Sequence, residues 1–301
     1  MTENVIEVRG LRKEYGGFTA VDGISFDIRR GETFALLGPN GAGKSTTIEI
    51  LEGYRHRTSG DVRVLGIDPQ RGGLDWKARL GIVLQSTGEA GSFTVRELLV
   101  EFAGYYPNPR DVDEVIAAVG LEQKQRVRAG KLSGGQQRRL DVALGIIGRP
   151  ELLFLDEPTT GFDPEARRQF WQLIRSLKAS GTSILLTTHY LDEAAQLGDR
   201  AAVIVGGRIA AIGAVDEIGG PEARTPVVRW TDATGTRREE RTPAPGAFVA
   251  DLQRLSGEPD GLEVVRPTLE DIYLDLIRAG DDATAPDPTA GDDRTPLKES
   301  A

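Results

Sequence analysis

The segment TFALLGPNGAGKSTT, residues 33–47, constrains this chain more than any other stretch. Thr33 to Leu37 reads as a buried strand. It runs into G-x-x-x-x-G-K-[ST], filled by Gly38, Pro39, Asn40, Gly41, Ala42, Gly43, Lys44 and Ser45, and then into a short helix ending near Gly53. Strand, glycine loop and helix in that order are the context in which this motif holds phosphate. Glycines let successive backbone N–H groups curl around an anion, and the helix adds its positive N-terminal end. Lys44 is placed to bring a point charge to the β- and γ-phosphates, and the Ser45 hydroxyl to ligate Mg²⁺. A plain glycine-rich turn leaves the Lys-Ser-Thr run after Gly43 unexplained.

LLFLDE, residues 152–157, complements that loop. A strand buried on both faces has no use for a carboxylate at its end unless a cation waits there. Asp156 therefore reads as a Mg²⁺ ligand, and Glu157, one residue further, as a base able to polarise a water. Two more polar residues end apolar strands: Gln85 after Gly81 to Leu84, and His189 after Ile184 to Thr188. Tyr15, just before the Gly16-Gly17 turn, is either core or an aromatic plate for a base. In KLSGGQQRRLD, residues 131–141, Ser133 and Gln136 fit a capping box opening a helix. Gly134 and Gly135 do not fit that reading, because each disfavours a first turn by about 1 kcal/mol relative to Ala. They suggest a backbone that something, most simply an anion, must approach.

Composition narrows the classes. With 301 residues, 39% hydrophobic and 28% charged, the chain can build about two domains with ordinary cores. A net charge of −9 argues against nucleic-acid binding, which normally needs a basic field. Zero cysteines exclude disulfides and thiolate metal sites. The N-terminal stretch lacks the apolar region of a secretory signal, and no run approaches the roughly 20 apolar residues of a membrane span. A membrane role would have to run through a partner.

Along the chain, residues 5–28 read as short β-like runs with Gly16-Gly17 as a turn signal, residues 86–149 as mostly helical, and residues 201–212 as a hairpin. Residues 152–155 and 183–188 have the continuous apolar character of central parallel strands. Asp163-Pro164 opens a helix that Gly181 closes. Composition shifts after about residue 218. There Val227 to Trp230, a charged turn region, a helix at 248–255, a strand at 262–265 and a helix at 268–278 outline a small α+β appendage. From Gly280 on, six acids against two bases among Asp, Ala, Thr and Pro suggest a disordered acidic tail.

Taken together, these motifs resemble the ATP-binding cassette (ABC) ATPases over about residues 4–218. Tyr15 resembles the aromatic A-loop residue, Gly38 to Ser45 with Thr46 the Walker A loop, and Gln85 the Q-loop. Leu132 to Gln136 resembles the signature motif, Leu152 to Asp156 with Glu157 Walker B and its catalytic base, and His189 the switch histidine. Thr160 to Asp163 occupies the D-loop, with Phe162 where the family usually has Leu. The resemblance implies an α/β fold. Its parts would be a P-loop NTPase core of mixed, mostly parallel strands, an antiparallel β subdomain, and a helical subdomain at about 86–149. Residues 219–280 would then be an accessory α+β domain and 281–301 the tail.

The same resemblance implies ATP and Mg²⁺ as cofactors, with Glu157, His189 and Gln85 catalytic and Ser45, Gln85 and Asp156 around the metal. It implies a head-to-tail dimer in which Ser133, Gly134, Gly135 and Gln136, with Asp163, face the nucleotide of the second copy. LDEPTTGFDPEARRQFW and RPTLEDIYLDLI resemble daunorubicin-resistance and multidrug-efflux ATPases. Those work with a separate type-2 ABC permease at the cytoplasmic face of the membrane. The alternative, a soluble ABC ATPase acting on ribosomes or DNA, is disfavoured by the single Walker A motif and by the acidic balance. It is disfavoured too by the short spacing from Lys44 to Ser133, which leaves no room for a long coiled coil. A non-hydrolysing regulator would be expected to lack Glu157 or His189.

Overall fold

The computed structural model describes residues 3–83, 90–257 and 259–284. Gln85 lies outside the described residues. The N-terminal part contains β1 (Asn4–Tyr15), β2 (Phe18–Arg29), β3 (Thr33–Leu37), α1 (Lys44–Leu51), β4 (Ser59–Val64), α2 (Leu74–Lys77) and β5 (Leu80–Val83). Helices α3 (Val95–Ala103), α4 (Val112–Ala118) and α5 (Gly134–Ile146) follow. Then come β6 (Leu152–Asp156), α6 (Pro164–Ala179), β7 (Ser183–Thr188), α7 (Leu191–Leu197), β8 (Arg200–Val205) and β9 (Arg208–Ala214). The chain closes with α8 (Gly220–Ala223), β10 (Val227–Thr231), β11 (Arg237–Arg241), α9 (Pro245–Ser256), β12 (Asp260–Val265) and α10 (Leu269–Thr284).

The central sheet has the order β5-β6-β7-β3-β8-β9, parallel except for the β8–β9 hairpin. Alternate residues of its strands go to opposite faces, and both faces are covered. Phe34, Leu36, Leu152, Phe154 and Leu185 join the core under β1, β2, β4 and α1. Leu37, Leu153, Leu155, Ile184 and Leu186 join a second core with Leu99, Leu140, Ile146, Phe170 and Leu177 from the helices. Two covered faces explain why the strands read as unbroken apolar runs. The smaller sheet β2-β1-β4 is antiparallel and carries Tyr15 at its hairpin.

Helix starts follow the sequence. Ser133 and Gln136 form the expected reciprocal cap on α5, Thr94 and Glu97 form a second one on α3, and Asp163 caps α6 through the N–H groups of Glu165 and Ala166. The D-loop residue Phe162 meets Phe170 edge to face at 5.7 Å, so the aromatic replacement fits into the helical core.

The appendage differs from expectation in two places. Arg237–Arg241, read as a charged turn, is strand β11, all exposed at the edge of the sheet β11-β10-β12. Its RREER sequence carries no apolar signal, because no face of it is buried and pairing with β10 alone makes it a strand. The last helix also continues past Gly280 to Thr284, since one internal glycine disfavours a helix without stopping it. Residues 285–301, the rest of the expected tail, lie outside the described residues. Helix α10 folds back onto the preceding part of the chain: Ile272 is buried, and Leu269, Tyr273, Leu276 and Ile277 lie against the core that includes Val203 and Leu197.

Candidate active site

The phosphate loop, Asp156 with Glu157, and His189 gather at the carboxyl ends of β3, β6 and β7, the crevice where open parallel sheets bind ligands. Strand β3 delivers the phosphate loop from the sheet centre. Asn40, Gly41 and Ser45 are exposed on it, Thr46 is half-buried, and Ala42 is buried. Gly43 caps α1 at φ 101°, and a Cβ there would stand 2.4 Å from the Ala20 carbonyl oxygen. Only glycine fits, and the contact brings the β1–β2 hairpin beside the loop. Tyr15 on that hairpin is partly exposed, with the Lys13 ammonium 4.7 Å and the Arg55 guanidinium 5.4 Å from its ring centre.

Lys44 is buried and folds back, donating to the Gly38 carbonyl at 2.7 Å and the Pro39 carbonyl at 3.1 Å. Burial lowers its pKa, opposed by the negative charges of Glu157 and Asp156. The lysine thus already sits in the field of both acids, and its two carbonyl partners are ones a phosphate can replace.

Asp156 ends β6 directly opposite Thr187 of β7. The Thr187 hydroxyl donates to Asp156 Oδ1 and accepts the Glu157 N–H at 3.0 Å; the same N–H reaches the Thr187 carbonyl at 3.2 Å. Glu157 adopts φ 44°, an unusual conformation for a side-chain-bearing residue, of the kind found at functional turns. Those bonds to Thr187 hold it there. His189 Nδ1 lies 3.4 Å from Glu157 Oε2. Adjacent parallel strands therefore bring together the acid and the histidine that the sequence placed 32 residues apart.

Sequence reading missed three supports. Thr187 is one. Arg138 is another: buried on α5, it donates to the carbonyls of Asp156 at 2.7 Å and Pro158 at 3.0 Å, tying the signature helix to the acid loop. It lies off the apolar stripe of Leu140, Ala143, Leu144 and Ile147, so periodicity alone does not mark it. The third is Glu52, buried at the end of α1, its pKa pushed up to about 8 by burial and, less, by Asp156 and Glu49.

The signature residues stand apart. Among the described residues, the side-chain hydrogen bonds of Ser133 and Gln136 are to each other's backbone. A Cβ added to Gly134 would meet nothing within 4 Å, and one on Gly135 only the Ala166 methyl at 3.7 Å. Packing within the chain requires neither glycine.

Residues 21–160 match the family described as ABC transporter. Nod factor export ATP-binding protein I of Paraburkholderia xenovorans (strain LB400) is 39% identical over 297 residues, spanning 92% of this chain and 98% of its own. The chain belongs to the ABC transporter family. The daunorubicin resistance ATP-binding protein DrrA3 of Streptomyces coeruleorubidus is 35% identical over 311 residues, 94% of this chain and 98% of that one. A solved structure described as the ATP binding subunit of an ABC transporter shares the fold, with a TM-score of 0.67 and 23% identity over 90% of this chain and 99% of that one. This ABC chain is an ATP-binding and ATP-hydrolysing transporter subunit. Subunits of this kind pair with membrane permeases and form dimers. None of its described helices is long and apolar enough to cross a membrane.

The site's donors suit Mg²⁺. The Ser45 hydroxyl and the Asp156 carboxylate are hard oxygens, and no cluster of three His, Cys, Asp or Glu among the described residues makes a closed cation cage. Mg²⁺ takes few protein ligands and completes its shell with phosphate and water.

Proposed function

We propose that this chain powers export of a lipophilic or drug-like substrate through a separately encoded type-2 permease, as a head-to-tail dimer at the cytoplasmic face of the membrane. The observation that carries the hydrolytic part is the pairing of Glu157 and His189 across β6 and β7 beside Lys44. In this reading Lys44 and the loop 38–46 bind the phosphates of ATP, and Tyr15 stacks under the base. Ser45 and Asp156 would hold Mg²⁺, and Gln85, outside the described residues, is the further ligand that the family resemblance implies. Bound Mg²⁺ would neutralise phosphate charge. Glu157 takes the proton from the attacking water, and His189 holds the Glu157 carboxylate in place.

The two open glycines support the dimer. Between the mutually capped Ser133 and Gln136, Gly134 and Gly135 leave the backbone at the start of α5 open to approach, and Asp163 lies at the start of the next helix. A phosphate held by a second copy is the ligand that suits them. A groove of about 740 Å³ lined by Glu49, Glu52, Leu80, Ile82, Phe102 and Tyr106 lies between α1, β5 and the helices, and suits a docking segment of the permease. The export direction rests on the named activities of the relatives, which also leave the ribosome or DNA alternative unfavoured.

Glu157→Gln tests the reading. The amide keeps the shape but accepts no proton, so ATP binding should persist while turnover falls about 10²–10⁴-fold and permease-dependent export stops. Near-normal turnover in the purified variant would remove Glu157 from the base role.

A further inference from the structure

Beneath the acid loop lies a second, buried polar cluster that the nucleotide chemistry does not use. Glu193, on α7, is fully buried. Its hydrogen-bonding neighbours are the hydroxyls of Thr188 and Thr159 and the Trp171 indole N–H, and the Arg167 and Arg138 guanidinium groups lie in its field. Thr159 Oγ1, Trp171 Nε1 and Arg167 Nε are buried with it. A buried carboxyl is retained where such a network satisfies it.

Each neighbour leads to the site. Thr188 precedes His189, and its hydroxyl accepts the Tyr190 N–H at 2.9 Å, shaping the turn that carries the histidine. Thr159 lies in the loop between Glu157 and Asp163. Arg167 sits one turn into α6, its N–H bonded to the Asp163 carbonyl at 3.0 Å. The Arg167 guanidinium stacks 4.4 Å from the Tyr190 ring centre, and that ring lies 4.1 Å from the His189 ring. An unbroken series of contacts therefore joins Asp163 to His189, with Glu193 under it.

We propose that Glu193, with Arg167, is a positioning pair for ATP hydrolysis that sets the His189 turn and the loop 157–163 against each other from below. The pair acts through Thr188 and Thr159 on one side and through Tyr190 on the other. Because the loop carries both Glu157 and Asp163, the pair relates the state of the D-loop, the surface offered to the second copy, to the orientation of His189. This inference rests on the hydrolytic reading of Glu157 and His189. Burial raises the Glu193 pKa, which agrees with a carboxyl whose hydrogen-bonding shape matters more than its charge.

The experiment compares Glu193→Ala, Glu193→Gln and Arg167→Met in the full chain purified with its permease, measuring kcat, KM, ATP affinity and thermal midpoint. Misplacing a catalytic group by about 1 Å can cost about 10²-fold. Glu193→Ala and Arg167→Met should lose about 10- to 100-fold in kcat with KM and ATP affinity little changed, and Glu193→Gln should restore most of the loss. Unaltered kcat in both variants would overturn the role, and so would a loss that merely tracks the unfolded fraction. Should Glu193→Ala fail to fold, Arg167→Met, at a partly exposed position, decides by the same criteria. Absence of turnover in the wild-type complex would instead refute the hydrolytic reading itself.

Discussion

Thr187 faces Asp156 across the β7–β6 ladder and donates its hydroxyl to the Asp156 carboxylate. The same oxygen receives the Glu157 N–H, so one threonine orients both the candidate metal ligand and the candidate base. Thr187→Val keeps the β-branched shape and removes the hydroxyl. Groups that orient a metal ligand typically cost 10–100-fold in metal affinity or activity when removed, so turnover should fall by about that factor. ATPase assays across a Mg²⁺ titration check this. Unchanged rates at limiting Mg²⁺ would show that Asp156 needs no such support.

Glu52 predicts a pH effect on stability. Its carboxyl is held protonated up to about pH 8 in the folded chain but ionises near the ordinary 4.5 when unfolded. Between those values the folded state binds the extra proton, so this group makes stability fall as pH rises, by at most about 1.4 kcal/mol per unit. Paired carboxylates act in the opposite sense, which makes the difference between wild type and Glu52→Gln the quantity to measure. Urea melts from pH 5 to 8 should show the variant gaining relative stability with pH. Parallel curves would place the Glu52 pKa near its ordinary value.

Removing the appendage is expected to weaken the chain without silencing the site. All motif residues precede residue 218, yet α10 covers part of the helical-side core, with Ile272 set against Gly219. Truncation after residue 218 should therefore keep ATP binding and lower the thermal midpoint by several degrees, since about 1 kcal/mol moves it 2–4 °C at this size. A truncated chain that melts normally but no longer binds ATP would put a nucleotide contact in the appendage.

The site was legible where chemistry is written in short motifs. Gly38 to Ser45, Asp156 with Glu157, and His189 announce themselves because a phosphate loop, or a polar residue ending an apolar strand, is hard to account for by packing alone. The central strands were legible too, since double burial leaves continuous apolar runs. What stayed hidden acts through the fold. Thr187 looks like any strand threonine until β7 lies beside β6, and Arg138 and Glu193 look like solvated charges until their helix faces turn inward. Strand β11 was missed for the converse reason, an exposed edge with nothing apolar to mark it.

The central claim is that a complete site needs Lys44 of one copy and Ser133 of another. A Lys44→Ala chain lacks the phosphate grip but keeps its signature; a Ser133→Arg chain grips phosphate but blocks its signature face. Each homodimer then has two defective sites, whereas a mixed dimer rebuilds one. The decisive measurement is ATPase activity and nucleotide trapping after the two inactive proteins are mixed in the presence of the permease. We predict that both return, at a rate below wild type. If mixed dimers form and neither trapping nor hydrolysis returns, Ser133 does not act on a second copy's nucleotide and the site is not shared between copies.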